Sequence, residues 1–120
     1  MKLRIRGNSL RLRVTRPELE QLASAGKVEE SVPFPGGAQL RYTLRVDPAA
    51  QALTAAYRDD VIDVRIPSGQ FRDWQRENQV SLRAGGDLTI LVEKDFACLV
   101  AREGEDDSNA FAHPDGPKAC

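Results

Sequence analysis

The chain has little of the chemistry on which most small enzymes and disulfide-stabilised domains depend. Its 120 residues include two cysteines and one histidine, and only 6% are aromatic. Two cysteines are too few for a disulfide framework. With a single histidine and no nucleophile-elbow or phosphate-loop motif, neither nucleophilic nor acid–base catalysis has an evident site. We therefore expect a protein that is not an enzyme.

Long apolar runs are also missing. The longest aliphatic stretch lies near residues 88–92, far below the roughly 18 residues of a membrane span. The basic start is not followed by the apolar stretch that a secretory signal requires. Formal net charge is -1, which excludes a globally basic nucleic-acid binder. We expect a cytoplasmic protein that makes no membrane contact.

Strand-like alternation dominates what is present. Leu3 and Ile5 alternate with basic residues, and so do Leu10 and Leu12, but the apolar parity changes between the two sets at residues 7–9. A tight turn would let both sets face one core, so the pattern favours a hairpin, with one long bulged strand as the alternative. A last strand is predicted from residue 88 to 100. Its apolar residues at both parities favour a position near the middle of a sheet.

Two short helices are predicted between the strands. Thr15 and Glu18 have the spacing of a capping box, and Gly26 supplies a stop. Ser68 can cap a second helix, which places Phe71 and Trp74 on one buried side and ends near Asn78. The fold class we expect is α+β, with a mainly antiparallel, strongly curved and potentially barrel-like sheet. One domain should span residues 1–102, and residues 103–120 form an acidic tail.

Charge is distributed unevenly along the chain. Residues 1–17 carry six cations and no acid, whereas residues 103–120 carry five acids and one lysine. A hairpin would place Arg4, Arg6, Arg11 and Arg13 on one polar face, where like charges destabilise a sheet unless something compensates them. Three compensations are open: neighbouring carboxylates, the acidic tail, or a phosphate backbone. The carboxylate candidates are Glu29, Glu30, Glu93 and Asp95.

A metal site is the main alternative chemistry. Cys98, His113 and Cys120 are the soft ligands of the chain, and Asp107 is a candidate fourth ligand for zinc. Their spacing lacks the close pairs that zinc sites use. The competing interpretations are a buried cysteine with an unrelated terminal one, and a Cys98–Cys120 disulfide.

The chain resembles a family of short, uncharacterised bacterial proteins, a domain of unknown function. The resemblance rests on KLRIRGNSLRLR at residues 2–13, on LVEKDF at residues 91–96, and on an acidic tail that ends in Cys120. It implies no established activity, cofactor or catalytic residue. It does imply that the tail belongs to the domain and docks on it. Relatives tend to have Asn where His113 stands, which argues against a metal site that depends on His113.

The function expected from these observations is a small non-enzymatic binding module with an unidentified partner and no cofactor. A thiol or zinc-like site at Cys98 and Cys120 is the first alternative. Nucleic-acid binding through the Arg4–Arg13 face is the second, and we expect it less because that stretch has no aromatic residue on which bases could stack. A homodimer through a sheet edge is a further option that nothing in the sequence specifies.

Overall fold

The computed structural model describes residues 1–76 and 79–95 and has an α+β fold, as predicted. In chain order its elements are β1 (Lys2–Arg6), β2 (Ser9–Val14), α1 (Arg16–Ala25), β3 (Lys27–Pro33), β4 (Gln39–Asp47), β5 (Thr54–Arg58), β6 (Val61–Pro67), α2 (Ser68–Arg76), β7 (Ser81–Ala84) and β8 (Thr89–Lys94).

The strands form two separate four-stranded sheets. The first sheet has the order β1-β2-β8-β7, and the second has the order β3-β4-β6-β5. Each sheet consists of two antiparallel hairpins joined by a parallel central pair, β2 with β8 and β4 with β6. The prediction of a mainly antiparallel, strongly curved, barrel-like sheet is therefore wrong. Alternation identifies strands and local hairpins, but it does not specify which distant hairpins pair or in which direction.

The first hairpin forms as the parity change predicted. Arg4 lies opposite Arg11, and Lys2 lies opposite Arg13. Gly7 turns the chain with a φ of 55°, a conformation that glycine adopts at little cost. The basic side chains of both strands consequently share the outer face of the first sheet.

The two helices begin and end largely where their signals lie. Glu18 accepts a hydrogen bond from the Thr15 backbone N–H at 2.9 Å, as part of a capping box. Gly26 ends α1 in the left-handed region, and its N–H donates to the Leu22 carbonyl at 3.0 Å. α2 is described as far as Arg76, so its predicted end near Asn78 lies outside the described residues.

One apolar core lies between the inner faces of the two sheets and the helices. Leu12, Val64 and Trp74 are completely buried in it. Trp74 packs edge-on against Phe71, with 6.1 Å between ring centroids, and its indole N–H donates to the Val80 carbonyl at 3.2 Å. Both aromatic residues of α2 are thus core residues, as predicted. The central position of the last strand is confirmed too, because β8 lies between β2 and β7 and is buried on both faces. β8 ends at Lys94, and residues 96–100 of the predicted strand lie outside the described residues.

The N-terminal residue links α1 to the second sheet. The Met1 amino group forms ion pairs with Glu18 and Glu30, and the Tyr42 hydroxyl donates to the Met1 carbonyl at 3.2 Å. Burial opposes the charge on this amine, but the hydrogen bonds with Glu18 and Glu30 outweigh it and raise its pKa. No helix within residues 1–76 and 79–95 is long and apolar enough to cross a membrane.

Candidate functional site

The outer face of the first sheet carries a row of arginines across neighbouring strands. Arg4 on β1 lies beside Arg11 on β2, Arg11 lies beside Leu91 on β8, and Leu91 lies beside Arg83 on β7. Arg6 stands in the next row, opposite Ser9. We refer to Arg4, Arg6, Arg11 and Arg83 together as the arginine face.

A concave pocket of about 260 Å³ lies within the arginine face. Leu91, 7% exposed, forms an apolar part of its lining, and the exposed side chains of Arg4, Arg6 and Arg83 contribute to it. The full lining comprises Arg4, Arg6, Ser9, Arg11, Arg83, Thr89 and Leu91. Guanidinium groups that converge on a small pocket are suited to oxyanions, because each can donate two parallel hydrogen bonds to a carboxylate or phosphate.

A buried carboxylate anchors one end of this surface. Glu93 is 1% exposed, although it stands on the outer face between Arg13 and Ser81. The Arg13 Nε donates to Glu93 Oε1 at 2.6 Å, and the Arg11 Nε lies 3.6 Å from the same oxygen. A buried charge of this kind is tolerated only when it is paired. Glu93 thus holds the Arg11 side chain close to the sheet, where it contributes to the pocket.

The four carboxylates predicted to compensate the basic hairpin lie in two different parts of the structure. Glu93 and Asp95 compensate the first hairpin, since Asp95 Oδ2 lies 3.4 Å from the Lys2 Nζ. Glu29 pairs with Lys27 and Glu30 with the Met1 amino group instead, because both glutamates lie on β3 in the other sheet. Among the described residues, the outer face of the first sheet carries two carboxylates and six cations: Lys2, Arg4, Arg6, Arg11, Arg13 and Arg83.

In the second sheet, two arginines are paired with carboxylates of the neighbouring strands. Asp63 accepts hydrogen bonds from the Thr43 hydroxyl at 2.5 Å, from Arg45 at 2.9 Å and from Arg65 at 2.8 Å. Arg65 also contacts Asp47 at 2.9 Å. Burial favours the neutral form of Asp63, but these hydrogen bonds outweigh it and lower its pKa. This cluster is an ion-pair network formed between neighbouring strands of the second sheet.

A second concave surface lies where the two sheets approach each other. It has a volume of about 410 Å³, and Ile5 and Tyr57, both largely exposed, lie at its opening. Its lining is Ile5, Leu10, Leu40, Ala55, Ala56, Tyr57, Ile62 and Leu88. Apart from the Tyr57 hydroxyl the lining side chains are apolar, so this cleft provides hydrophobic contact and no catalytic or ligating group.

The predicted metal ligands lie outside the described residues. Cys98, Asp107, His113 and Cys120 all follow residue 95, as do the predicted domain boundary at residue 102 and the acidic tail. Up to residue 95, and apart from residues 77–78, no group of three or more His, Cys, Asp or Glu side chains is placed to hold a metal ion. The structure does bring together the predicted residues Arg4, Arg6 and Arg11.

Sequence reasoning missed Arg83. It alternates with Leu82 and Ala84 in a short segment whose polar side has no other charge, and nothing in that segment indicates that it stands in the same row as Arg4 and Arg11. Arg13 was grouped with the other three hairpin arginines, but it contacts Glu93 and does not line the pocket.

Comparison with known proteins places the chain in a family. The model of a family of unknown function, DUF7009, matches residues 1–115, and the chain belongs to that family. The match includes both the arginine face and the acidic segment that follows residue 102. Searches of curated proteins and of solved structures found no match.

Proposed function

We propose that this member of a family of unknown function is a small, non-enzymatic, cytoplasmic binding module whose arginine face recognises a carboxylate-rich polypeptide. The observation that carries the proposal is the row formed by Arg4, Arg11 and Arg83, which lines a pocket with an apolar floor. Charge-assisted hydrogen bonds to carboxylates are about twice as strong as neutral ones, so a few such contacts can hold an acidic side chain.

The surroundings of the arginines in the two sheets support a binding role, rather than a purely stabilising role, for the arginine face. Arg45 and Arg65 of the second sheet are used in the network around Asp63 and Asp47. The described outer face of the first sheet carries six cations and two carboxylates, and one of those carboxylates, Glu93, pairs with both Arg11 and Arg13. Clustered like charges lower the stability of a sheet. Four of these cations, Arg4, Arg6, Arg11 and Arg83, line one pocket, and this convergence supports the binding of a ligand of opposite charge.

A polypeptide fits this surface better than a nucleic acid does. The pocket lining contains no aromatic side chain for base stacking. The sheet is four strands wide, or roughly 14 Å across at a strand spacing of about 4.8 Å. That width suits a short acidic segment.

Fluorescence anisotropy with a labelled hexaglutamate peptide tests the proposal. The variant R4Q/R83Q removes two exposed charges from the arginine face and should weaken binding about tenfold, which corresponds to about 1.4 kcal/mol. R58Q is the matched control, because Arg58 is an exposed strand arginine of the other sheet, and its affinity should equal that of the wild type. Equal affinities for all three proteins would overturn the proposal. So would stronger binding of a short oligothymidylate than of the peptide.

A further inference from the structure

The chain itself contains a segment with the chemistry that the arginine face would bind. Residues 103–107 read EGEDD, which gives four carboxylates in five residues and no cation. The described outer face of the first sheet has an excess of four positive charges. The charge of this segment is therefore opposite in sign to the excess charge of the outer face and equal to it in number. The family match includes both of them, since it extends to residue 115.

The length of the chain after β8 allows this segment to reach the pocket. Asp95 continues the sheet ladder, because its N–H donates to the Val14 carbonyl at 2.8 Å, and its side chain pairs with Lys2 at the edge of the same face. The row of Arg4, Arg11 and Leu91 lies four residues back along β8, or about 13 Å at the rise of a strand. Residue 103 lies eight residues after Asp95, and eight extended residues span up to about 28 Å.

We propose that the acidic segment, residues 103–107, binds the arginine face of its own chain and competes there with the external acidic partner. This inference rests on the proposed function, because it assigns a regulator to the same surface. A tethered competitor acts at an effective concentration in the millimolar range, so even a weak contact lowers the apparent affinity for a partner. Binding of the partner would then require it to displace the acidic segment.

The test uses full-length protein in which the segment has lost its charge. The acid-neutral variant is E103Q/E105Q/D106N/D107N, and a charge-matched control neutralises four exposed carboxylates elsewhere, E20Q/E29Q/D59N/D73N. Two readouts are independent of each other: the dissociation constant for labelled hexaglutamate, and the Nε–Hε resonances of Arg4, Arg6 and Arg83 in the absence of any peptide. Size-exclusion chromatography with light scattering gives the mass of each protein.

The inference predicts that the acid-neutral variant binds hexaglutamate about tenfold more tightly than the wild type, whereas the control gains less than about twofold. It also predicts that the arginine resonances of the acid-neutral variant move and that those of the control do not. Unmoved resonances with unchanged peptide affinity would overturn the inference and leave the proposed function standing. Moved resonances without measurable peptide binding in any protein would support the intramolecular contact and overturn the proposed function. A dimer mass that falls to a monomer mass on neutralisation would overturn the inference, because the segment would then bind a second copy.

Discussion

Replacing Glu93 by glutamine should lower the free energy of unfolding by about 2–4 kcal/mol. The carboxylate is 1% exposed and is held by Arg13 at 2.6 Å and by Arg11 at 3.6 Å. Removing one partner of a buried ion pair typically costs 3–5 kcal/mol, because the remaining charge stays buried without compensation. The Arg11 and Arg13 side chains retain 10% and 16% exposure, so water relieves part of that cost. We therefore expect E93Q to lower the free energy of unfolding by about 2–4 kcal/mol, slightly less than is typical for a fully buried pair.

Urea unfolding followed by circular dichroism measures this difference, with E29Q as the control. Glu29 forms an exposed pair with Lys27 at 3.0 Å, and exposed pairs contribute little to stability because water screens them, so E29Q should unfold like the wild type. A double-mutant cycle of E93Q with R13Q isolates the contact, and we expect a coupling energy of about 1–3 kcal/mol. The reasoning would be refuted if E93Q unfolded at the same urea concentration as the wild type.

Three further predictions concern other parts of the molecule. Asp60 has a φ of 64° in the tight turn between β5 and β6, so D60G should stabilise the protein by about 0.5–1 kcal/mol. Gly26 has a φ of 78°, so G26A should destabilise the protein by about 1 kcal/mol. Urea unfolding measures both changes, and the backbone argument would be contradicted if the two substitutions changed the free energy of unfolding in the same direction. The pKa of Asp63 is lowered in the folded state, so its stabilising contribution is complete above the unfolded pKa of about 3.9 and is lost as pH falls through the folded value. D63N should therefore flatten the acid side of the stability–pH curve, and an unchanged curve would show that Asp63 does not govern it. The proposed binding module needs no metal, so EDTA should leave the melting temperature unchanged. A fall in the melting temperature would favour the zinc-like site at Cys98 and Cys120.

Local features of the fold could be predicted from the sequence because their determinants are local. The capping box at Thr15 and Glu18 uses only neighbouring residues, and the turn at Gly7 follows from the change of apolar parity on either side of it. The burial of Phe71 and Trp74 follows from their spacing on one helix face. Each of these depends on contacts within a few residues of sequence.

The assembly of the hairpins could not be predicted, because no local pattern encodes it. The pairing of β2 with β8 joins residues about eighty positions apart, and it is parallel. This pairing alone brings Glu93 beside Arg13 and, through β7, Arg83 into the row of Arg4 and Arg11. The arginines of the hairpin were therefore identified from the sequence. The pocket that they form with Arg83, and the burial of Glu93, needed the strand order.

The most direct test of an anion-binding arginine face is a titration of ¹⁵N-labelled wild-type protein with unlabelled hexaglutamate, observed at the arginine Nε–Hε resonances. Our account predicts that the resonances of Arg4, Arg6, Arg11 and Arg83 move together and saturably. Those of Arg45 and Arg65, which are held by Asp63, should stay in place. Equal movement in both sheets would indicate unspecific charge attraction, and no movement at the arginine face would contradict the account.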